Sequence, residues 1–181
     1  MILGLDASSS VIGYTLLDSE DSKLIEIGYV NISNVGDLIQ KAEFVENFFT
    51  DLLKNKKITS IYIEDISKKF SPGFSSAQII TLLAKFNGMV SYIMYKITNI
   101  MPNYIMSTSA RKTAYNMSFK RGIDIKVQVM EQMLKREKLF FLKKKSGKLV
   151  GEAFDAADSY TLALAGFKIE QQLFRENTSL K

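Results

Sequence analysis

Three short apolar segments occupy the first 32 residues, before any helical pattern begins. They are residues 1–6, 11–17 and 24–32, and the last alternates apolar and polar side chains as a strand does. The connections at Ser8–Ser10 and Asp18–Lys23 are short enough to join antiparallel neighbours. The chain therefore begins with three antiparallel strands, and every later element must pack on the sheet that they start.

Helices and short strands then alternate. Apolar residues recur at spacings of three and four after Asp37, which predicts a helix capped by Asp37. Short apolar runs at 58–64 and 103–106 predict two more strands. The order β-β-β-α-β-α-β-α-α-α predicts an α/β protein with a mixed five-stranded sheet, three antiparallel strands and then two parallel ones, and helices on both faces.

Residues 77–98 predict a long helix that is apolar on nearly every side. A helix with no polar side must pack against two neighbours, and these would be the sheet and a second copy of the chain. The last helix is expected from about 152 to 174. Together the elements predict a single domain over residues 1–175, followed by a short frayed tail at 176–181.

The 181 residues include no cysteine and no histidine. Disulfides, thiolate metal sites, most zinc sites and histidine-based triads are therefore excluded. Any catalysis must use carboxylates, lysines, hydroxyls or tyrosines. The first residues lack a signal-peptide pattern and no apolar run suffices to cross a bilayer, so we expect a cytoplasmic protein that does not enter the membrane.

Four carboxylates stand at the ends of separate apolar segments. Asp6 ends the first predicted strand, Glu64 ends the fourth, and Asp155 and Asp158 open the last helix. The two aspartates are three residues apart, so they share one face of that helix. Alanines surround them and let the helix lie close to the sheet, which would bring the pair over the strand ends that carry Asp6 and Glu64.

Carboxylates that gather in one place repel one another, and a divalent cation usually neutralises them. Oxygen ligands suit Mg²⁺, and two metals about 4 Å apart are the common apparatus for cleaving phosphodiesters. Taken singly, each acid has a structural explanation: N-capping for Asp155 and Asp158, a turn for Asp6, an exposed strand end for Glu64. Their joint occurrence, in this order, favours a two-metal catalytic site.

Positive charge is concentrated between Arg111 and Lys148. That stretch holds twelve Lys and Arg against three acids, a net charge of +9, whereas the whole chain carries +5 and the remainder therefore −4. A basic block beside an acidic cluster suggests a polyanionic substrate. Taken alone, a solvated lysine-rich surface explains the block as well.

Three motifs occur in order: Ile2-Leu-Gly-Leu-Asp-Ala-Ser-Ser-Ser-Val-Ile-Gly-Tyr14, Ile61-Tyr-Ile-Glu64 and Asp155-Ala-Ala-Asp-Ser-Tyr-Thr-Leu-Ala-Leu-Ala165. Together they resemble the RuvC-type Holliday junction resolvases of the RNase H-like superfamily, over essentially the whole domain. The first motif is also similar to the opening of actin-like ATPases, but the last is fairly specific. The Lys- and Ile-rich composition suggests a phage or viral branch, acting in the cytoplasm of a bacterial host or at a viral replication site.

The resemblance implies roles for the four acids. Asp6, Glu64, Asp155 and Asp158 are similar to the family's metal-binding quartet, with two Mg²⁺ per active site and Mn²⁺ as a substitute. The family acts as a homodimer on branched DNA, the four-way junction, and nicks two opposed strands to leave 5′-phosphate and 3′-hydroxyl ends. The apolar helix 77–98 would form the dimer.

Basic and aromatic residues are candidate DNA contacts. Lys112 and Lys126 look like lysines that the family places against DNA, with ordinary surface lysines as the alternative. Where the family often has a junction-wedging aromatic, this chain has Ser67, although two phenylalanines follow that could stack on bases or fold on the core. Asp65 is expected on the opposite face of the strand from Glu64, outside the quartet. The candidate contacts are Arg111, Lys112, Lys120, Arg121, Lys126, Lys143, Lys144, Lys145, Phe70 and Phe74.

Three other functions stay open at the level of sequence. A nuclease for flaps, branched replication intermediates or RNA would carry the same acids, because groove shape sets that selectivity. A non-catalytic junction-binding protein would not need the intact quartet. An actin-like ATPase module, suggested by Gly4–Ser10, would need a second similar domain and a second phosphate loop, and the sequence shows neither.

Overall fold

The computed structural model describes residues 1–66, 77–116, 122–137 and 150–179. Within these ranges the elements follow the order predicted from the sequence. They are β1 (Ile2–Ala7), β2 (Val11–Leu17), β3 (Leu24–Asn31), α1 (Leu38–Leu53), β4 (Ser60–Glu64), α2 (Ala77–Thr98), β5 (Asn103–Ile105), α3 (Ser107–Tyr115), α4 (Ile125–Arg136) and α5 (Glu152–Ser179). Asp37 caps α1 as predicted, and Gln40 completes a capping box with it.

The five strands form one mixed sheet in the order β3-β2-β1-β4-β5. β1 pairs antiparallel with β2, and β2 pairs antiparallel with β3. β4 lies parallel to β1 on its other side, and β5 lies parallel to β4. The predicted sheet, three antiparallel strands followed by two parallel ones, is therefore confirmed. Because β1 and β4 are parallel neighbours, their carboxyl ends meet at the same edge.

Both faces of the sheet are covered by helices, as predicted. Alternate residues of a strand point to opposite faces, so Leu3 and Leu5 join a core with α1 and α2. Ile2 and Tyr62 join a second core that contains Tyr160 and other residues of α3, α4 and α5. The α5 side of the sheet is the side on which the candidate site forms.

α5 lies directly on β1 and β2 because small residues separate them. A Cβ placed on Gly4 would be 2.6 Å from the backbone nitrogen of Ala163, closer than real Cβ atoms approach. The buried hydroxyls of Thr15 and Ser159 are 2.9 Å apart and fix the position of the helix along the strands. The predicted close packing through small side chains is thus observed.

α5 continues to Ser179, five residues beyond the end at Phe174 that the apolar pattern predicts. The extension is exposed to solvent, so its side chains lack the apolar spacing from which the end of the helix was predicted. Local bonds hold it: Gln172 donates to Glu176 at 2.8 Å, and the Ser179 hydroxyl donates to the Arg175 carbonyl at 3.0 Å. No glycine or proline interrupts these residues. In the described ranges no helix is apolar over a length sufficient to cross a membrane.

Candidate active site

Two of the predicted carboxylates stand at the shared edge of β1 and β4. Asp6 is two residues beyond Gly4 and so faces α5, while Glu64 is two residues beyond Tyr62 and faces the same way. Asp65 follows the last residue of β4 and is not among the described residues that line the site, and its backbone N–H donates to the Ile105 carbonyl at 2.9 Å. By strand alternation Asp65 is expected on the opposite face, and this stays a prediction.

The other two carboxylates come from the beginning of α5. Asp155 lies in the first turn, and Asp158 lies one turn further along the helix. Gly13, which pairs with Asp6 across β1 and β2, lies directly beneath the backbone of Asp155. The absence of a side chain at Gly13 therefore places the start of α5, with its acids, beside the end of β1.

A cleft forms where β1, β4, α3 and α5 meet. Of the described residues, those that line it are Asp6, Glu64, Ser107, Ala110, Arg111, Asp158, Thr161 and Leu162. Three of the four predicted acids thus share one cleft, and they come from three different elements. Asp155 is not among these described lining residues.

Arg111 supplies positive charge inside the cleft. Its Nη2 atom lies 3.5 Å from Oδ1 of Asp158, and the two side chains are only 14% and 15% exposed. Burial raises the pKa of the Asp158 carboxyl, the Glu64 charge also raises it, and Arg111 and Lys126 lower it. The Arg111 Nε is buried and has no hydrogen-bond partner among the described residues.

Asp155 pairs with the lysine at the start of α4. The Lys126 ammonium lies 3.8 Å from Oδ1 of Asp155, and the lysine side chain is 49% exposed. Burial raises the pKa of Asp155, and Lys126 lowers it. Asp124 caps α4 by accepting from the backbone N–H of Lys126 at 2.8 Å, which holds the lysine next to α5. The lysine end of the pair is open to solvent, so the pair contributes little to stability.

The donor chemistry of the cleft suits a hard divalent cation, because three partly buried carboxylates face it. In the described ranges, however, no group of three acids stands close enough to hold a metal ion in the present arrangement. The guanidinium of Arg111 provides the counter-charge to Asp158 instead. The residue types fit Mg²⁺ or Mn²⁺, and metal binding would require the side chains to move closer together.

Sequence reasoning missed two hydroxyl residues of the cleft. Thr161 is three residues after Asp158 and therefore lies on the same face of α5, so the sequence spacing could have predicted it. Ser107 is the first residue of α3, two residues after Ile105, which pairs with Glu64 at the end of β5. Thr161 donates to the Ala157 carbonyl at 2.9 Å, so the Tyr115 hydroxyl must donate to Thr161 in their 2.9 Å contact. Burial raises the pKa of Tyr115 to about 12 and keeps it a donor.

Three of the predicted DNA contacts lie among the described residues, and the others lie outside them. Among the described ones, Arg111 lines the cleft, Lys112 points away from it and is exposed, and Lys126 lies beside Asp155. α3 explains the difference, because adjacent helical residues point about 100° apart. Phe70, Phe74, Lys120, Arg121, Lys143, Lys144 and Lys145 lie outside the described residues.

The sheet order and the covering helices define the fold of RuvC-type resolvases. Thermus thermophilus RuvC in complex with Holliday junction substrate matches with a TM-score of 0.67 at 12% identity, over 94% of each chain. A second T. thermophilus RuvC structure matches with a TM-score of 0.63 at 11% identity, over 94% of this chain and 96% of that one.

The yeast mitochondrial Holliday junction resolvase Ydc2 also matches, with a TM-score of 0.62 at 17% identity, over 96% of this chain and 80% of its own. No protein-family model matches the chain, and no curated protein matches it by sequence. The predicted resemblance is therefore confirmed at the level of the fold, which structure reveals at identities too low for sequence comparison.

Proposed function

We propose that this protein is a metal-dependent endonuclease that resolves four-way DNA junctions by paired nicks. The observation that carries the proposal is the convergence of Asp6, Glu64 and Asp158 on one cleft. The fold supports it, because the similar structures include RuvC in complex with Holliday junction substrate and the yeast mitochondrial resolvase.

Asp6, Glu64 and Asp158 would hold Mg²⁺ or Mn²⁺, with Asp155 as the fourth carboxylate one turn before Asp158. Bound metal ions would supply a hydroxide at neutral pH and would stabilise the leaving oxygen, giving 5′-phosphate and 3′-hydroxyl ends. The burial of Asp158 matters for this role, because a dry site strengthens every electrostatic interaction with the reacting phosphate.

The basic residues beside the acids suit a DNA backbone. Arg111 and Lys126 place positive charge within 4 Å of two of the carboxylates. The remaining candidate DNA contacts belong to the same proposal, and they are Lys112, Lys120, Arg121, Lys143, Lys144, Lys145, Phe70 and Phe74. Neutralising several phosphates makes affinity fall with added salt, so junction binding should weaken steeply between low and high ionic strength.

The decisive experiment uses neighbouring acids that are expected to face opposite sides of the sheet. Glu64→Gln should reduce Mg²⁺-dependent cleavage of a mobile four-way junction by about 100-fold or more, because a catalytic ligand is removed. Asp65→Asn, its matched control, should cut nearly as the unmodified protein does. Full activity in Glu64→Gln, or an equal loss in both variants, would refute the proposed site.

Substrate choice is tested in the same assay. We expect the four-way junction to be cut faster than a flap or an RNA–DNA hybrid at equal concentration. Preferential cutting of the flap or the hybrid would assign that substrate instead. Tight junction binding without cutting, in either Mg²⁺ or Mn²⁺, would indicate a non-catalytic junction-binding protein.

The proposal includes a homodimer that forms through α2. This helix buries Phe86 and Val90 in the core, yet Leu82, Tyr92 and Tyr95 are 41%, 66% and 41% exposed. Apolar side chains left uncovered on one helix are typical of an interface. A twofold dimer would also match the symmetry of a junction that needs two opposed cuts.

Analytical ultracentrifugation at micromolar concentration tests the dimer. The unmodified protein should sediment as a dimer, and Tyr92→Lys should shift it toward the monomer because a charge enters the interface. Tyr104→Lys is the matched control, since Tyr104 is also exposed but lies on β5. A clean monomer for the unmodified protein would contradict this part of the proposal.

A further inference from the structure

The Arg111–Asp158 pair occupies the place where a metal ligand is needed. Both side chains are about 85% buried, and the cleft that they share also contains Asp6 and Glu64. A buried arginine normally finds acceptors for all its N–H groups, because unpaired donors are costly away from water. Here Nε of Arg111 has none among the described residues. The guanidinium therefore has unused donor capacity in this position.

A guanidinium and a metal ion compete for Asp158. Mg²⁺ binds carboxylate oxygens at about 2.0–2.1 Å, and a second positive charge a few ångströms away is strongly repelled in a partly buried site. The arginine in its present position therefore lowers the affinity of these acids for a cation. A DNA phosphate is a natural acceptor for it, because the planar fork of arginine binds phosphate through two N–H groups.

We propose that Arg111 is an internal counter-ion that competes with the metal for Asp158, and that junction DNA relieves the competition by drawing the guanidinium onto a phosphate. This inference rests on the proposed function and adds that DNA and metal bind with positive coupling, so that each increases the affinity for the other. Thermodynamic linkage then requires that the metal tighten DNA binding by the same factor. Without DNA the acids hold the metal weakly, so the metal binds mainly when the junction is already bound.

Mn²⁺ binding to the DNA-free protein, followed by electron paramagnetic resonance, tests the competition without using activity. Arg111→Met removes the charge but keeps a side chain of similar length, and should tighten Mn²⁺ binding by about tenfold, within the usual range of coupling. Arg175→Met, the matched control, removes an exposed arginine seventeen residues beyond Asp158 on α5 and should change affinity by less than about twofold, because exposed charges are screened.

Equal affinities for the unmodified protein and Arg111→Met would overturn the inference and leave the nuclease proposal standing. No saturable binding in any of the proteins would overturn both. If Arg111→Met does not fold, Arg111→Gln decides, because it removes the charge but keeps a polar side chain. Tighter Mn²⁺ binding in that variant supports competition, and an unchanged affinity refutes it.

Coupling to DNA is measured with Ca²⁺, another cation that prefers oxygen ligands, by calorimetry with and without an intact four-way junction. A denaturing gel of the same sample verifies that the junction is uncut. The junction should tighten Ca²⁺ binding in the unmodified protein and in Arg175→Met, and much less in Arg111→Met, where nothing is left to displace. Equal tightening in all three would overturn the proposed role of DNA.

Discussion

Gly13→Ala tests whether the position of α5 sets the geometry of the acids. The new Cβ would lie 2.8 Å from the backbone nitrogen of Ala156 and closer still to the carbonyl of Asp155. Ordinary contacts begin near 3.4 Å, and these neighbours are backbone atoms that no rotamer change can move aside. The first turns of α5 must therefore retreat from the sheet by about 1 Å, an estimate from the contact shortfall.

This retreat should destabilise the protein and slow the reaction. Overpacking of this kind costs about 1–3 kcal/mol. Stretching the nearby hydrogen bond between Thr15 and Ser159 adds about 1 kcal/mol. A displacement of about 1 Å in catalytic groups lowers a rate by about 100-fold. We thus expect a loss of about 2–4 kcal/mol in the free energy of unfolding, together with a large loss of cleavage.

Urea unfolding and junction cleavage measure the two effects. Gly88→Ala is the stability control, because a Cβ there meets no atom within 4 Å and the residue lies inside α2. That control should gain about 0.5–1 kcal/mol. If Gly13→Ala unfolds at the same urea concentration as the unmodified protein and cuts as fast, the inferred dependence of the site on this contact is refuted.

Three further predictions concern stability, each measured by urea unfolding. Burial raises the pKa of Asp155 in the folded protein, so between the unfolded and folded pKa values the native state binds more protons, and its stability falls as pH rises through this range. Asp155→Asn should therefore stop cleavage yet unfold at a higher urea concentration at pH 7. This gain in stability should vanish near the ordinary pKa of 3.8. Asp37→Ala removes the cap of α1 and should cost about 1 kcal/mol, whereas Asp37→Asn should cost less. Thr15→Val should cost about 1 kcal/mol, because Ser159 still donates to Ala156, and Ser159→Ala should cost more by leaving the buried Thr15 hydroxyl unpaired.

Local sequence patterns were sufficient to predict the helices and strands and their order along the chain. Apolar spacing located α1, and the Asp37 cap that it suggested is present with a full capping box. Period-two alternation placed Asp6 and Glu64 on one face, and both line the cleft. The end of α5 escaped prediction because it is exposed, so no apolar pattern marks the residues after Phe174.

The sequence did not predict which basic residue of α3 lines the cleft, and the reason is different. Lys112 was the better match to the family pattern, but the rotation of α3 brings Arg111 into the cleft and leaves Lys112 in solvent. That rotation depends on how Ala110 and Ala114 pack in the α5-side core, which no local pattern reports. The pairing of Arg111 with Asp158 was likewise invisible, because the two residues lie on different helices.

The sequence by itself determined the class of fold, the strand ends that carry Asp6 and Glu64, and the helix that carries Asp155 and Asp158. These features depend on the periodicity of short segments and on the meeting of parallel strands at one edge. Only the tertiary structure decided which charge balances Asp158, how closely α5 approaches Gly13, and which hydroxyls face the acids. Those properties depend on contacts between segments far apart in the chain, where a rotation or shift of about 1 Å changes the neighbour.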